Sequence, residues 1–211
     1  MRHFPIDAAV SALRFIFWGG LLCLFDFSFS QTSNGNGFKF DIISDAVGSV
    51  MIAWGIAQLR GLLPVTRYVN VMNFVQIIAW MCIADAVADH WVTKTPVIPP
   101  MVRSIFSLFC LVAIVAFCLA MRWLCESLTL FQSARSWRTT TWLFLFIYLL
   151  PLGLFQVAAI MSTLTGQKFH LNLGPVGLLL LLVFVVPVIH LFMSTSRMKE
   201  ELESMRFWPQ Q

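Results

Sequence analysis

Residues 178–184 read Leu-Leu-Leu-Leu-Leu-Val-Phe. A helix apolar on every side has no solvated face, so such a run belongs inside protein or inside lipid. Six stretches share this character: approximately Ala8–Phe29, Asp41–Leu62, Tyr68–Asp89, Met101–Leu124, Trp142–Met161 and Gly174–Ser194. Each is long enough to cross roughly 30 Å of hydrocarbon at about 1.5 Å per residue. Alternation of polar and apolar residues is absent, which favours helices over barrel strands. Composition agrees, with 59% hydrophobic and 11% charged residues, where a soluble domain carries about 25% charged. This excludes a soluble globular protein, a disordered chain and a disulfide scaffold. The expected fold is all-α: a polytopic transmembrane helical bundle of six helices. Residues 1–211 form one integral membrane domain, with 195–211 as a cytoplasmic amphipathic tail.

The connectors carry turn chemistry. Ser33-Asn34-Gly35-Asn36-Gly37 cannot continue a helix and reads as a flexible loop. Pro64 closes the second span, Pro96 and Pro99-Pro100 separate the third from the fourth, and Gly174-Pro175 opens the sixth. Pro151 and Pro187 fall inside spans and predict kinks. Leu124, Leu128 and Phe131 keep helical spacing, so the fourth span is expected to continue as an amphipathic helix. In the tail, Met198, Leu202 and Met205 form one apolar stripe, and Phe207 and Trp208 suit the headgroup layer. Arg2 before the apolar stretch from Phe15 to Phe25 suggests a signal peptide. Asp7 and Arg14 interrupt it and no small-x-small site follows, so it reads as an uncleaved first span.

Basic residues predict orientation. With the N-terminus inside, the inner side holds Arg2, Arg60, Arg67, Arg122, Arg135, Arg138, Arg197, Lys199 and Arg206. The outer side holds Lys39, Lys94, Arg103 and Lys168. This bias favours N-in/C-in. The net charge of +4 is scattered between apolar runs, so it reports topology and not a nucleic-acid partner. The partner implied is the lipid bilayer, with a homo-oligomer or a membrane partner protein as further options. The five cysteines lie in or beside apolar runs without a C-x-x-C pair, so neither disulfide nor metal framework is expected.

The carboxylates are unevenly placed. Asp26 falls at the outer end of the first span, Asp41 and Asp45 open the second, and Asp85 and Asp89 close the third beside His90. In the expected topology all five share the outer side. Asp41/Asp45 and Asp85/Asp89 are i,i+4 pairs, each on one helix face. At a helix N-terminus carboxylates cap backbone N–H groups, so Asp41 and Asp45 have a structural reason to be there. At a C-terminus the dipole disfavours them, and Asp85 and Asp89 call for a compensating cation or proton. If the first three spans pack together, Asp26, Asp45 and Asp85 converge. Carboxylates with one imidazole suit a divalent cation or a proton relay. No cofactor is otherwise expected: haem needs two axial ligands at one depth, and only His90 and His170 approach that, outside the hydrocarbon.

Asn73, Gln76 and Trp80 recur at helical spacing, as polar glue between helices would. His190 stands alone in the inner half of the sixth span, where a hydrogen bond to a neighbouring helix is expected. Gly48 and Gly55 would let a second backbone approach closely. Gly37 to Gly48 and Gly166 to Gly177 share a pattern, Gly-Phe-Lys-Phe against Gly-Gln-Lys-Phe, which would fit a repeated hairpin or coincidence. No Walker loop, dinucleotide fingerprint, H-E-x-x-H or G-x-S-x-G occurs, which argues against an enzyme.

Phe40-Asp41-Ile42-Ile43-Ser44-Asp45-Ala46-Val47-Gly48 resembles a motif of small multi-pass bacterial membrane proteins of unknown function. There the stretch reads F-D-I-L-P-D, two hydrophobic residues and G, before an apolar span. Ser44 stands here where proline is usual. The resemblance implies a bacterial inner membrane and a role for Asp41 and Asp45, with no activity attached. The leading functional expectation is a small permease or a cation- or proton-coupled carrier with an acidic outer entrance. The alternative is a non-catalytic membrane scaffold or assembly subunit. A lipid-modifying enzyme using Asp85, Asp89 and His90 is a third option.

Overall fold

The computed structural model describes residues 6–24, 28–33, 36–41, 45–91, 100–166 and 176–207, and side chains over 7–22, 46–87, 101–166 and 182–204. These residues form a helical bundle protein. The helices are α1 (Ile6–Leu24), α2 (Asp45–Arg60), α3 (Thr66–Trp91), α4 (Pro100–Ser127), α5 (Phe131–Leu143), α6 (Leu150–Thr165) and α7 (Val176–Phe207). A π-helical segment, Phe144–Leu149, joins α5 to α6 without a break. Four segments are long and apolar enough to cross a membrane: Thr66–Val87, Met101–Ser127, Phe131–Thr165 and Leu182–Ser204. Helices α1 and α2 are shorter, at 19 and 16 residues. At about 1.5 Å per residue they reach roughly 28 and 24 Å.

The first span ends earlier than its composition suggests. Helix α1 stops at Leu24, and residues expected at its outer end enter a strand. Strands β1 (Ser28–Ser33) and β2 (Asn36–Asp41) pair antiparallel, with Ser33 opposite Asn36 and Ser28 opposite Asp41. The loop expected at Ser33–Gly37 is therefore the tip of a hairpin, with Ser33, Asn36 and Gly37 in the ladder. Asn34-Gly35 between two short strands is a strong hairpin signal. The stretch 166–177 lies mostly outside the described residues, including most of the expected repeat.

Two compact units divide the chain. One comprises Met1–Pro64 with Gln76–Thr95, the other Val65–Val75 with Pro96–Gln211. Helix α3 passes through both.

In the first unit, α1 packs antiparallel to α2 with their backbones nearly touching. A Cβ at Gly55 would sit 2.7 Å from the Ala12 carbonyl oxygen, and one at Gly19 would sit 2.6 Å from the Gly48 carbonyl oxygen. Ala9, Ala12, Ala53 and Leu59 are fully buried beside these glycines. Small residues at this spacing let dispersion contacts accumulate without a hydrophobic driving force, as helices in lipid require. Helix α3 joins through Gln76, whose Nε2 donates to the Ala53 carbonyl at 3.1 Å.

In the second unit, α4 does not run on as an amphipathic helix. It ends at Ser127, and the chain turns at Thr129, with φ +59°. The Leu130 N–H bonds the Cys125 carbonyl and the Thr129 N–H bonds the Glu126 carbonyl. This is a Schellman cap, with threonine where glycine is usual. Leu130 is buried and starts the return, while Phe131 opens α5 and is 78% exposed. The Leu124–Leu128–Phe131 spacing therefore belongs to two helices.

Both internal prolines act on the helix ladder. Pro151 has no N–H for the carbonyl four residues earlier, and the segment before it widens to π geometry, with Leu150 N–H bonding the Leu145 carbonyl. Pro187 leaves the Val183 carbonyl without its helical donor. The Tyr148 hydroxyl donates at 2.7 Å to the next carbonyl, Phe184, and its ring meets the Phe184 ring edge-on. Helix α7 then continues to Phe207, so the tail stripe is part of a long helix and Met198 and Leu202 are buried within the chain.

Two stability predictions follow from these contacts. Gly55→Val places a β-branched side chain against the Ala12 carbonyl and lowers the melting temperature in detergent, by an overpacking cost of about 1–3 kcal/mol. Thr129→Gly relieves a left-handed β-branched residue and raises the melting temperature, with a gain of about 1 kcal/mol.

Candidate functional site

Helices α5 and α7 of the second unit carry a polar seam in otherwise apolar surroundings. On α5, Ser133, Ser136 and Thr140 recur at three and four residues, which places them on one face. On α7, His190, Ser194 and Glu201 lie on a matching face. The helices run antiparallel, so early residues of α5 meet late residues of α7.

The hydroxyls link in series. Ser136 Oγ lies 2.7 Å from Ser194 Oγ, and Ser194 Oγ lies 2.7 Å from Thr140 Oγ1. Thr140 Oγ1 lies 2.8 Å from His190 Nδ1, and it also donates to the Ser136 carbonyl at 3.0 Å. Ser133, Thr140 and Ser194 are fully buried and Ser136 nearly so. A hydroxyl both donates and accepts, and one imidazole nitrogen accepts where the other carries the proton. Thr140 gives its one proton to the Ser136 carbonyl, so it accepts from His190 Nδ1–H and from the Ser194 hydroxyl, and Ser194 in turn accepts from Ser136. Further along, Glu201 accepts from the Ser133 N–H at 2.9 Å and from the Ser133 hydroxyl. Trp137 lies one residue from Ser136, fully buried, edge-on to Phe117 of α4, and its indole N–H has no partner among the described residues.

The carboxylates singled out from the sequence are placed only in part. Asp26 lies outside the described residues. Asp41 ends β2, Asp45 begins α2, and Asp89 and His90 fall near the end of α3, with their side chains outside the described residues. Asp85 is on α3 and half-buried. Among the described residues no group of three or more His, Cys, Asp or Glu is placed to hold a metal ion. Of the expected polar glue, Gln76 of α3 is buried against α2, its Oε1 without a partner among the described residues. Asn73 is half-buried and Trp80 exposed, so the three do not share one packed face. His190 bonds across to α5.

Sequence reading singled out His190 but not Thr140, Ser194, Ser136 or Glu201 as its companions. The signal was present as spacing: Ser-x-x-Ser-x-x-x-Thr at 133–140 and His-x-x-x-Ser at 190–194. What it lacked was a reason to pair two helices 50 residues apart.

No protein-family model, curated protein or solved structure matches this chain. Its chemistry rests on its own residues.

Thr140 is the junction of the seam, and its removal tests the seam directly. Thr140→Val keeps shape and removes the bonds to His190 and Ser194, at a cost of about 1–2 kcal/mol read as a lower melting temperature in detergent. Thr139→Val, whose hydroxyl returns only to the Arg135 carbonyl of its own helix, leaves it within about 0.5 kcal/mol.

Proposed function

We propose that this chain is a small integral membrane carrier whose transport is coupled to protons, and that His190 with the Thr140–Ser194–Ser136 hydroxyls carries the proton-handling step. The observation behind this reading is the imidazole joined in series to buried hydroxyls inside an apolar helix pair. An ionisable side chain within a membrane helix is expensive and marks a pathway by default. Imidazole is the side chain whose unperturbed pKa lies closest to neutral pH, which suits it to taking up and releasing a proton.

The one-sided carboxylates add an entrance. Asp26, Asp41, Asp45, Asp85 and Asp89 would collect protons or cations on the outer side, within an N-in/C-in topology in a bacterial inner membrane. The scaffold alternative drew on the lack of a strong motif, the abundant Phe and Trp, and the amphipathic tail. Met198 and Leu202 of the tail stripe are buried within the chain, which removes the tail from its support.

Proteoliposomes with an entrapped pH-sensitive dye test this. An imposed pH gradient should collapse faster with the wild-type protein than in empty vesicles. His190→Gln should slow that collapse to near the empty-vesicle rate, since a positioned proton-transfer group contributes about 10²–10⁴-fold. Asp85→Asn should slow it less, since neighbouring carboxylates remain. Identical rates for wild type, His190→Gln and empty vesicles would remove the proposal.

A further inference from the structure

The face of α5 opposite the seam has its own pattern. Phe131, Arg135, Arg138 and Trp142 follow one another at four, three and four residues, so they form a single stripe along the helix. All four are exposed. Trp142 also stacks on Phe146, with ring centroids 5.4 Å apart and planes 12° from parallel. Phe146 is itself 58% exposed. The order along the stripe is thus aromatic, cation, cation, aromatic pair.

Burial on the other side holds this face outward. Ser133, Ser136, Trp137 and Thr140 are turned into the second unit, and a helix cannot rotate without exposing them. Helix α5 contains no aspartate or glutamate. Three carboxylates of the unit are engaged elsewhere, and Glu200 lies on α7, not on this face. Glu126 pairs with Arg122 at 2.7 Å, Glu203 pairs with Lys199 at 3.8 Å, and Glu201 accepts from Ser133. Arg135 and Arg138 make no ion pair among the described residues. Two guanidinium groups therefore stand about one turn apart on an open surface, with no ion pair among the described residues.

Their depth matters as much as their charge. The helix continues from Arg138 through Trp142 into the apolar π segment and α6, so the stripe crosses from polar to apolar surroundings within about two turns. Tryptophan favours the membrane–water interface, and arginine at that level reaches headgroups. Guanidinium forks match phosphate oxygens in pairs.

We propose that the Phe131–Arg135–Arg138–Trp142 face of α5 binds an anionic phospholipid. The two guanidinium groups take the phosphate oxygens, and the stacked Trp142 and Phe146 rings take the first methylenes of an acyl chain. Charge complementarity selects this occupant over a zwitterionic lipid, whose own ammonium competes for the phosphate. The site faces away from the seam and does not depend on proton transport.

Native mass spectrometry of the full chain, released from mixed phosphatidylglycerol and phosphatidylcholine, tests it. Wild type should retain phosphatidylglycerol in preference to phosphatidylcholine. The R135Q/R138Q double variant should lose that preference by about thirtyfold, as removal of two interfacial cations implies. R122Q, which removes a cation already paired on α4, should keep it. Excess inorganic phosphate should not displace the lipid. Unchanged preference in the double variant, equal loss in R122Q, or displacement by inorganic phosphate would each overturn the proposal. Both α5 positions are exposed, so an unchanged melting temperature in R135Q/R138Q confirms that the loss reports binding and not unfolding.

Discussion

Hydrocarbon offers the peptide backbone no hydrogen bonds, and an unsatisfied N–H or C=O there costs several kcal/mol. This one penalty organises the chain. Apart from the short β1–β2 hairpin, the described elements are helices that satisfy their own backbones. Three interruptions of the ladder carry local adjustments beside them. The π segment absorbs the missing donor of Pro151. Tyr148 supplies a hydroxyl next to the carbonyl that Pro187 strands. A Schellman cap closes α4 at Thr129 despite the strain of a left-handed threonine.

Lipid also removes the usual reason for helices to associate, because a neighbouring leucine is no more attractive than an acyl chain. The two units answer this in different ways. In the first, Gly19, Gly48 and Gly55 bring α1 and α2 to backbone contact, so close packing joins them. In the second, hydroxyls, an imidazole and a carboxylate join α5 to α7. Close packing is indifferent to protonation, whereas a hydrogen-bonded seam is not. That difference is why the second unit is the better place to look for proton handling.

The parts of the fold legible in the sequence are those set by local chain properties. Apolar length marked the helices, and Pro151 and Pro187 marked their irregularities. Asn34-Gly35 marked a turn, although the period-two pattern of Gly37-Phe38-Lys39-Phe40 that makes it a hairpin was overshadowed by the preceding apolar span. The break between α4 and α5 was hidden because neither glycine nor proline stands at 128–130. Burial of Leu130 holds that turn in place, and burial is not a property of the residue alone. The candidate site was half legible in the same way: His190 stood out as a lone polar residue in an apolar helix, while Thr140 and Ser194 looked like ordinary helix-surface hydroxyls.

Residue identity by itself determined that this chain belongs to a lipid environment and that it would enter it as helices, since transfer free energy accumulates residue by residue along the chain. Tertiary structure decided which polar groups meet. The seam joins positions 50 to 68 apart in sequence, and its bonds need donor and acceptor within about 3 Å. Spacing along one helix can show which residues share a face, but the choice of the facing helix is made by packing.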